Sequence, residues 1–142
     1  MNGKIVAIRV VVAIVVISAV AYFYSDYILG LLAERPDFQL SANPTLIRLG
    51  YVGSSNTTIV TVKSINGLNS DVKLDVKPFL GFLGVRFTFD PSEVHLPANG
   101  EVSCTLKIDV MSNIEPGEYF IDVSGVIGNL THTIRVTVEV SY

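Results

Sequence analysis

The chain has 142 residues, of which 49% are apolar and 16% charged, with a formal net charge of -3 and one cysteine. Once its long apolar start is set aside, that length accommodates one domain of ordinary size. The acidic balance excludes a basic footprint for nucleic acid, and a single cysteine excludes an internal disulfide.

The first element is the apolar run at residues 5–24, IVAIRVVVAIVVISAVAYFY. At about 1.5 Å rise per helical residue it reaches about 30 Å, the thickness of a bilayer's hydrocarbon core. Arg9 would cost roughly 3 kcal/mol at mid-bilayer, but it lies near the start, where its long side chain reaches the headgroups. Each Ile, Val and Phe returns about 0.3 to 0.6 kcal/mol, so insertion is favoured. Lys4 and Arg9 precede the densest apolar section, whereas Asp26, Glu34 and Asp37 follow it. By the positive-inside rule the amino end is cytoplasmic and the rest extracytoplasmic. Tyr22, Phe23, Tyr24 and Tyr27 cluster at the exit, and Arg9, Tyr22, Tyr24 and Tyr27 are the candidate membrane-interface anchors.

A cleaved secretory signal is the competing reading, with Ala19-Val20-Ala21 as the small-residue site. No polar region precedes that site, and cleavage would expose YFYSDYILGLL as an apolar new terminus, so the run reads as a signal-anchor. A prepilin signal fits poorly, because Gly3 comes before Lys4. The helical pattern continues through ILGLL at residues 28–32, and Pro36 stops it. A helix unbroken to Glu34 would be about 45 Å long, more than one bilayer needs, and the surplus must tilt, protrude or pack on a neighbour. The chain therefore divides into an anchor and its exit at residues 1–36 and a domain at residues 37–142.

From Phe38 the apolar period changes from helical to two. Phe38, Leu40 and Ala42 start a strand, Asn43-Pro44 punctuates it, and Leu46, Ile47 and Leu49 resume. After a polar turn through Asn56, Thr58, Val60, Val62 and Ser64 mark one strand face, and Asn66-Gly67 closes that strand. Val72, Leu74 and Val76 alternate with charges, as do Val85, Phe87 and Phe89 before Pro91. Val94 and Leu96 lead to a turn at residues 97–100. Val102, Cys104, Leu106, Ile108 and Val110 share a face in the clearest strand. Pro116-Gly117 precedes another, Gly128-Asn129 is a hairpin tip, and Ile134, Val136, Val138 and Val140 point inward in the last. About seven short strands in some hundred residues predict an all-β, immunoglobulin-like antiparallel β-sandwich behind one N-terminal transmembrane helix.

LPANGE at residues 96–101, IEPGEYFIDV at residues 114–123 and the closing TIRVTVEV resemble the C-terminal half of NEW3-like, immunoglobulin-like modules of prokaryotic, especially archaeal, envelope proteins. VTVKSING, DVKLDVKP and TFDPSEVHL, between residues 60 and 96, match the opening strands of the same family. The resemblance implies an adhesive or spacer domain on a membrane anchor and carries no catalytic residues. The immunoglobulin signature itself is absent, since there is no Trp and one Cys.

The chemistry-bearing residues support no reaction. His95 reads as a surface residue, His132 lies at a strand start, and neither stands in a ligand cluster. Inward-facing Cys104 reads as a small core hydrophobe, because burial raises a thiol's pKa and hides it. Asp71 and Asp75 alternate with Lys73 and Lys77, as a solvated face does. The expectation is no enzyme, no metal, no cofactor, no nucleic acid and no small-molecule substrate. Two glycosylation sequons stand out, Asn56-Thr57-Thr58 and Asn129-Leu130-Thr131, both at predicted turns, whereas Pro44 disqualifies Asn43. The connection Phe79-Leu80-Gly81-Phe82-Leu83-Gly84 is apolar where turn chemistry expects polar residues. Phe79, Leu80, Phe82 and Leu83 then either cap one end of the sandwich or form an exposed patch for a partner or membrane. The expected partners are the lipid bilayer and other envelope or filament proteins, copies of this chain included. The role expected is a non-catalytic, membrane-anchored extracytoplasmic interaction or structural subunit of a cell-envelope assembly. The alternative is a subunit of an extracellular filament or its stator, pilin-like or archaellum-associated, packing through the long helix.

Overall fold

A computed structural model describes residues 3–78 and 84–142. They fall into two compact units, Met1–Arg35 and Pro36–Tyr142.

The first unit is one helix, α1 (Gly3–Leu32), of 30 residues. It carries no proline, and its two serines bond locally: the Ser18 hydroxyl donates to the Ile14 carbonyl and that of Ser25 to the Tyr22 carbonyl, each at 2.8 Å. Both bonds go to the helix's own backbone, three or four residues back. The helix ends at Leu32, short of Glu34, so the last residues before Pro36 are not helical.

Among the described residues the second unit is a two-sheet sandwich of nine strand segments: β1 (Asp37–Asn43), β2 (Leu46–Leu49), β3 (Ser55–Ile65), β4 (Ser70–Pro78), β5 (Val85–Asp90), β6 (Glu93–Leu96), β7 (Glu101–Val110), β8 (Gly117–Ile127) and β9 (Leu130–Val140). One sheet has the order β1-β3-β7-β5 and the other β2-β9-β8-β4-β6.

Two prolines explain why nine segments stand where seven strands are predicted. A proline has no N–H to give to a ladder, so pairing breaks there. Before Pro44 the chain pairs with β3, Asn43 opposite Ile59; after it the chain crosses to the other sheet and pairs with β9, Ile47 opposite Val138. Before Pro91 it pairs with β7, Asp90 opposite Thr105; after it with β4, Val94 opposite Val72. Each crossing is hydrogen-bonded on the way. The Thr58 hydroxyl donates to the Pro44 carbonyl at 2.7 Å, the Thr137 amide to Thr45 at 2.8 Å and the Leu74 amide to Ser92 at 3.0 Å. The first crossing also makes β2–β9 a parallel pair, a departure from the wholly antiparallel expectation.

The core lies between the sheets and follows the period-two faces. Val60, Val62, Val72, Leu96, Leu106, Ile108, Ile121, Val123, Val136 and Val138 are fully buried. Thr58 and Ser64 share the inward face of β3 and are the buried polar residues among those described. Ser64 is bonded throughout: its hydroxyl donates to the Leu68 carbonyl at 2.7 Å and accepts the Asn99 amide at 3.1 Å. It thereby joins the 66–69 and 97–100 turns at the end of the sandwich where β1 begins. Gly125 is buried because β8 passes close to β1; a Cβ there would stand 2.9 Å from the Phe38 ring and 3.3 Å from Leu40.

Candidate functional site

In α1 the segment Ala7–Leu31, 25 residues, is long and apolar enough to cross a membrane, which makes it a candidate anchor or signal sequence. Its large apolar side chains are exposed, including Ile8, Ile14, Ile17 and Leu29. Arg9 lies in the second turn. Tyr22, Tyr24 and Tyr27 lie in the C-terminal half with Phe23, whose ring meets that of Tyr22 edge-on at 6.4 Å. Ile28, Leu29 and Leu31 remain exposed beyond these rings.

On the sandwich, the outer face of the five-stranded sheet is held by cross-strand ion pairs. Arg135 of β9 grips Asp122 of β8 through two bonds of 2.9 and 3.3 Å and lies 5.6 Å from the centre of the Phe120 ring. The guanidinium's hydrogen bond holds the Asp122 carboxyl below the usual carboxylate range, and the carboxylate raises Arg135 in turn. Arg48 of β2 reaches Glu139 of β9 at 2.9 Å, which ties the parallel edge strand to its neighbour. On the four-stranded sheet, Thr61 and Ser103 share a hydrogen bond of 2.9 Å. Asp109 lies between Lys107 at 2.8 Å and Arg86 at 3.4 Å; chiefly the Lys107 hydrogen bond keeps its carboxyl low. These pairs lie at the solvent-facing surfaces of the sheets, with the Asp109 side chain the most covered of them.

The histidines are both paired. His95 lies on the exposed face of β6, 2.6 Å from Asp71 of β4. His132 is half-buried, 2.6 Å from Asp37 and edge-on to Phe38 at 4.8 Å. Among the described residues no three His, Cys, Asp or Glu side chains come together at metal-binding distance. Cys104 is 3% exposed, with its sulfur 3.6 Å from the Val60 carbonyl, and burial pushes its thiol up to about 11.

The two sequons differ in setting. Asn129 is exposed at the β8–β9 tip, as its turn signal indicates. Asn56 is not in a turn: it is the second residue of β3, paired with Ile108 of β7, because the ladder begins at Ser55. The apolar connection carrying Phe79, Leu80, Phe82 and Leu83 lies outside the described residues.

One surface had no signal in the sequence pattern. At the end of the sandwich opposite the start of β1, the rings of Tyr51 and Tyr142 stack 4.6 Å apart at 14°. The Tyr142 hydroxyl donates to the Ile114 carbonyl and accepts its amide, which fixes the ring. Both rings, with Val52 and Met111, are exposed, and an open cleft of about 410 Å³ runs between Tyr51, Tyr142 and the 113–116 loop. Isolated tyrosines outside an alternating run give no sequence cue that they will meet.

No family model and no curated protein matches the sequence. Solved structures do resemble it. Domains 4 and 5 of the S-layer protein SbsC are 15% identical with a TM-score of 0.53, over 76% of this chain and 54% of that one. A FixG-related protein from Vibrio parahaemolyticus is 8% identical with a TM-score of 0.56, over 77% of this chain and 99% of that one. A family 123 glycoside hydrolase from Clostridium perfringens is 12% identical with a TM-score of 0.56, over 73% of this chain and only 27% of that one. At these identities the likeness is one of fold: the chain carries an immunoglobulin-like β-sandwich behind an N-terminal apolar helix.

Proposed function

We propose that this protein is a membrane-anchored, extracytoplasmic interaction or structural subunit of a cell-envelope assembly, without catalytic activity. The observation that carries the reading is the contrast between the two units. The sandwich packs most of its inward apolar side chains into a core between its two sheets, whereas α1 exposes apolar side chains on every side over Ala7–Leu31. An all-round apolar helix of that length is stable where lipid or other helices cover it. Lys4 before the span and Arg9 near its start, with Glu34 and Asp37 after it, orient the sandwich outward. The S-layer domains among the structural neighbours agree with a surface role, and the NEW3-like motifs extend the proposal to an adhesive or spacer module. LPANGE then forms the hydrogen-bonded turn between β6 and β7, where the Gly100 amide meets the Pro97 carbonyl at 3.1 Å.

The test is protease protection in intact right-side-out membranes, followed by carbonate extraction. Digestion of the sandwich from outside, with a residual helix fragment resistant to carbonate, is the expected result. A protected sandwich, or release of the whole chain by carbonate, refutes it.

A second reading, a filament or stator subunit packing through its helix, is favoured by the length of α1. Its 30 residues amount to about 45 Å, some ten residues beyond one hydrocarbon core, with Ile28, Leu29 and Leu31 exposed past the aromatic rings. Negative-stain microscopy of the detergent-solubilised chain separates the two: filaments support this reading, and discrete particles support the first.

A further inference from the structure

The two sequons are equivalent as motifs, and the fold makes them unequal. For an asparagine to accept a glycan, its amide nitrogen must reach the donor sugar, and the hydroxyl two residues on must be free for recognition. Asn56 is itself exposed, but its amide is already engaged and the hydroxyl of its sequon is not free. Its Nδ2 donates to the Arg48 carbonyl at 2.9 Å, its Oδ1 accepts the Thr57 amide at 2.8 Å, and its backbone is in register with β7. The hydroxyl that completes this sequon belongs to Thr58, which is 1% exposed and donates to the Pro44 carbonyl at 2.7 Å. That bond secures the crossing of the first strand from one sheet to the other. Freeing the Thr58 hydroxyl would break that bond at a buried residue held in register with Leu106 of β7.

At Asn129 both conditions hold. The hairpin closes over two residues, with Ile127 opposite Leu130, and Gly128 takes φ 55° at the first central position, as type II′ turns favour. Asn129 is therefore one of the two residues of the tip, and it and Thr131 are both exposed. Leu130, between them, is half-buried against the core and holds the base of the tip in place.

We propose that Asn129 is an N-linked glycan acceptor in the folded protein and that Asn56 is not. In the reaction Asn129 Nδ2 bonds to C1 of the first sugar of a polyprenyl-diphosphate-linked oligosaccharide. The C1–O bond to phosphate breaks, its electron pair leaves with the phosphate, and the amide gives up one proton. Nothing is oxidised or reduced. The site lies at the end of the sandwich where β1 begins, so a glycan there leaves the opposite, Tyr51 end clear for protein contacts. The inference rests on the extracytoplasmic placement proposed above for its occurrence in cells, but not for the acceptor chemistry tested below.

The experiment incubates the purified, folded full-length chain in detergent with an oligosaccharyltransferase and a defined polyprenyl-diphosphate oligosaccharide. Intact mass and glycopeptide mapping read the products. One oligosaccharide increment at Asn129 is expected. It should be lost in Asn129→Gln and also in Thr131→Ala, which leaves the asparagine in its turn, and retained in Asn56→Gln; circular dichroism verifies that each variant folds. The chain unfolded in denaturant and then diluted into the reaction should gain acceptance at Asn56. Absence of glycan at Asn129 of the folded chain, or comparable occupancy of Asn56, overturns the proposal. Because no membrane is used, a failure of the topology test leaves this result standing, and the reverse also holds.

Discussion

His132 Nε2 lies 2.6 Å from Asp37 Oδ1, the same oxygen that accepts the Phe38 amide at 2.7 Å. The imidazole also meets the Phe38 ring edge-on. These contacts fasten the first residue of the sandwich to its last strand across 95 positions of sequence. They sit at the first strand residue after the linker that follows α1.

The Asp37 carboxyl is held below its ordinary value of 3.8, foremost by the His132 hydrogen bond and then by the Phe38 amide. A carboxyl lowered by folding adds stability above its unfolded value and loses it as pH falls through the folded one. Asp109 and Asp122 act with the same sign. The thermal midpoint of the full chain in detergent should therefore drop on acidification from about pH 5 to about pH 2. His132→Ala should shrink that drop, and Asp122→Asn should shrink it independently. An unchanged acid profile in both variants would remove these pairs from the stability of the fold.

Gly125 has no room for a methyl group, with the Phe38 ring at 2.9 Å and Leu40 and Val72 each at 3.3 Å from a Cβ built there. Gly125→Ala should destabilise the sandwich by about 1 to 3 kcal/mol, the usual cost of overpacking. Leu106→Ala should cost about 2 to 5 kcal/mol through a cavity. Chemical denaturation monitored by tyrosine fluorescence measures both.

Cys104, buried and with its thiol pushed up to about 11, should resist labelling. At mildly alkaline pH a disulfide reagent should react with the native chain far more slowly than with the chain in denaturant, since thiolate and access are both lacking. Equal rates would mean that β3 and β7 separate readily.

Val15 lies mid-span and is exposed. Val15→Arg should reduce membrane insertion, at a cost of roughly 3 kcal/mol at the helix centre. The same charge placed at Ile8, beside Arg9, should be tolerated. Carbonate extraction of the two variants reads the difference.

Much of the fold could be read from residue patterns. Thr58, Val60, Val62 and Ser64 share the buried face of β3, and Val102 to Val110 alternate inward along β7, as the period of two requires. Cys104 among them is buried for the same reason. Less could be read of the surfaces. Asn56 stands within β3 rather than in a turn, and nothing in a run of alternating residues announces that Tyr51 and Tyr142 will stack.

The sequence by itself determined the apolar helix, the inward and outward faces of the strands, and the tight tip at Gly128-Asn129. These depend on composition, side-chain period and local backbone preference, which act over a few residues. Only the tertiary structure decided that Pro44 and Pro91 mark crossings between sheets, that β2 runs parallel to β9, that Asp37 meets His132, and that Thr58 is occupied while Thr131 is free. A period of two specifies which face of a strand is buried, but not which strand lies beside it. Neighbours are chosen by closure of the whole sandwich, through contacts between residues far apart in the chain.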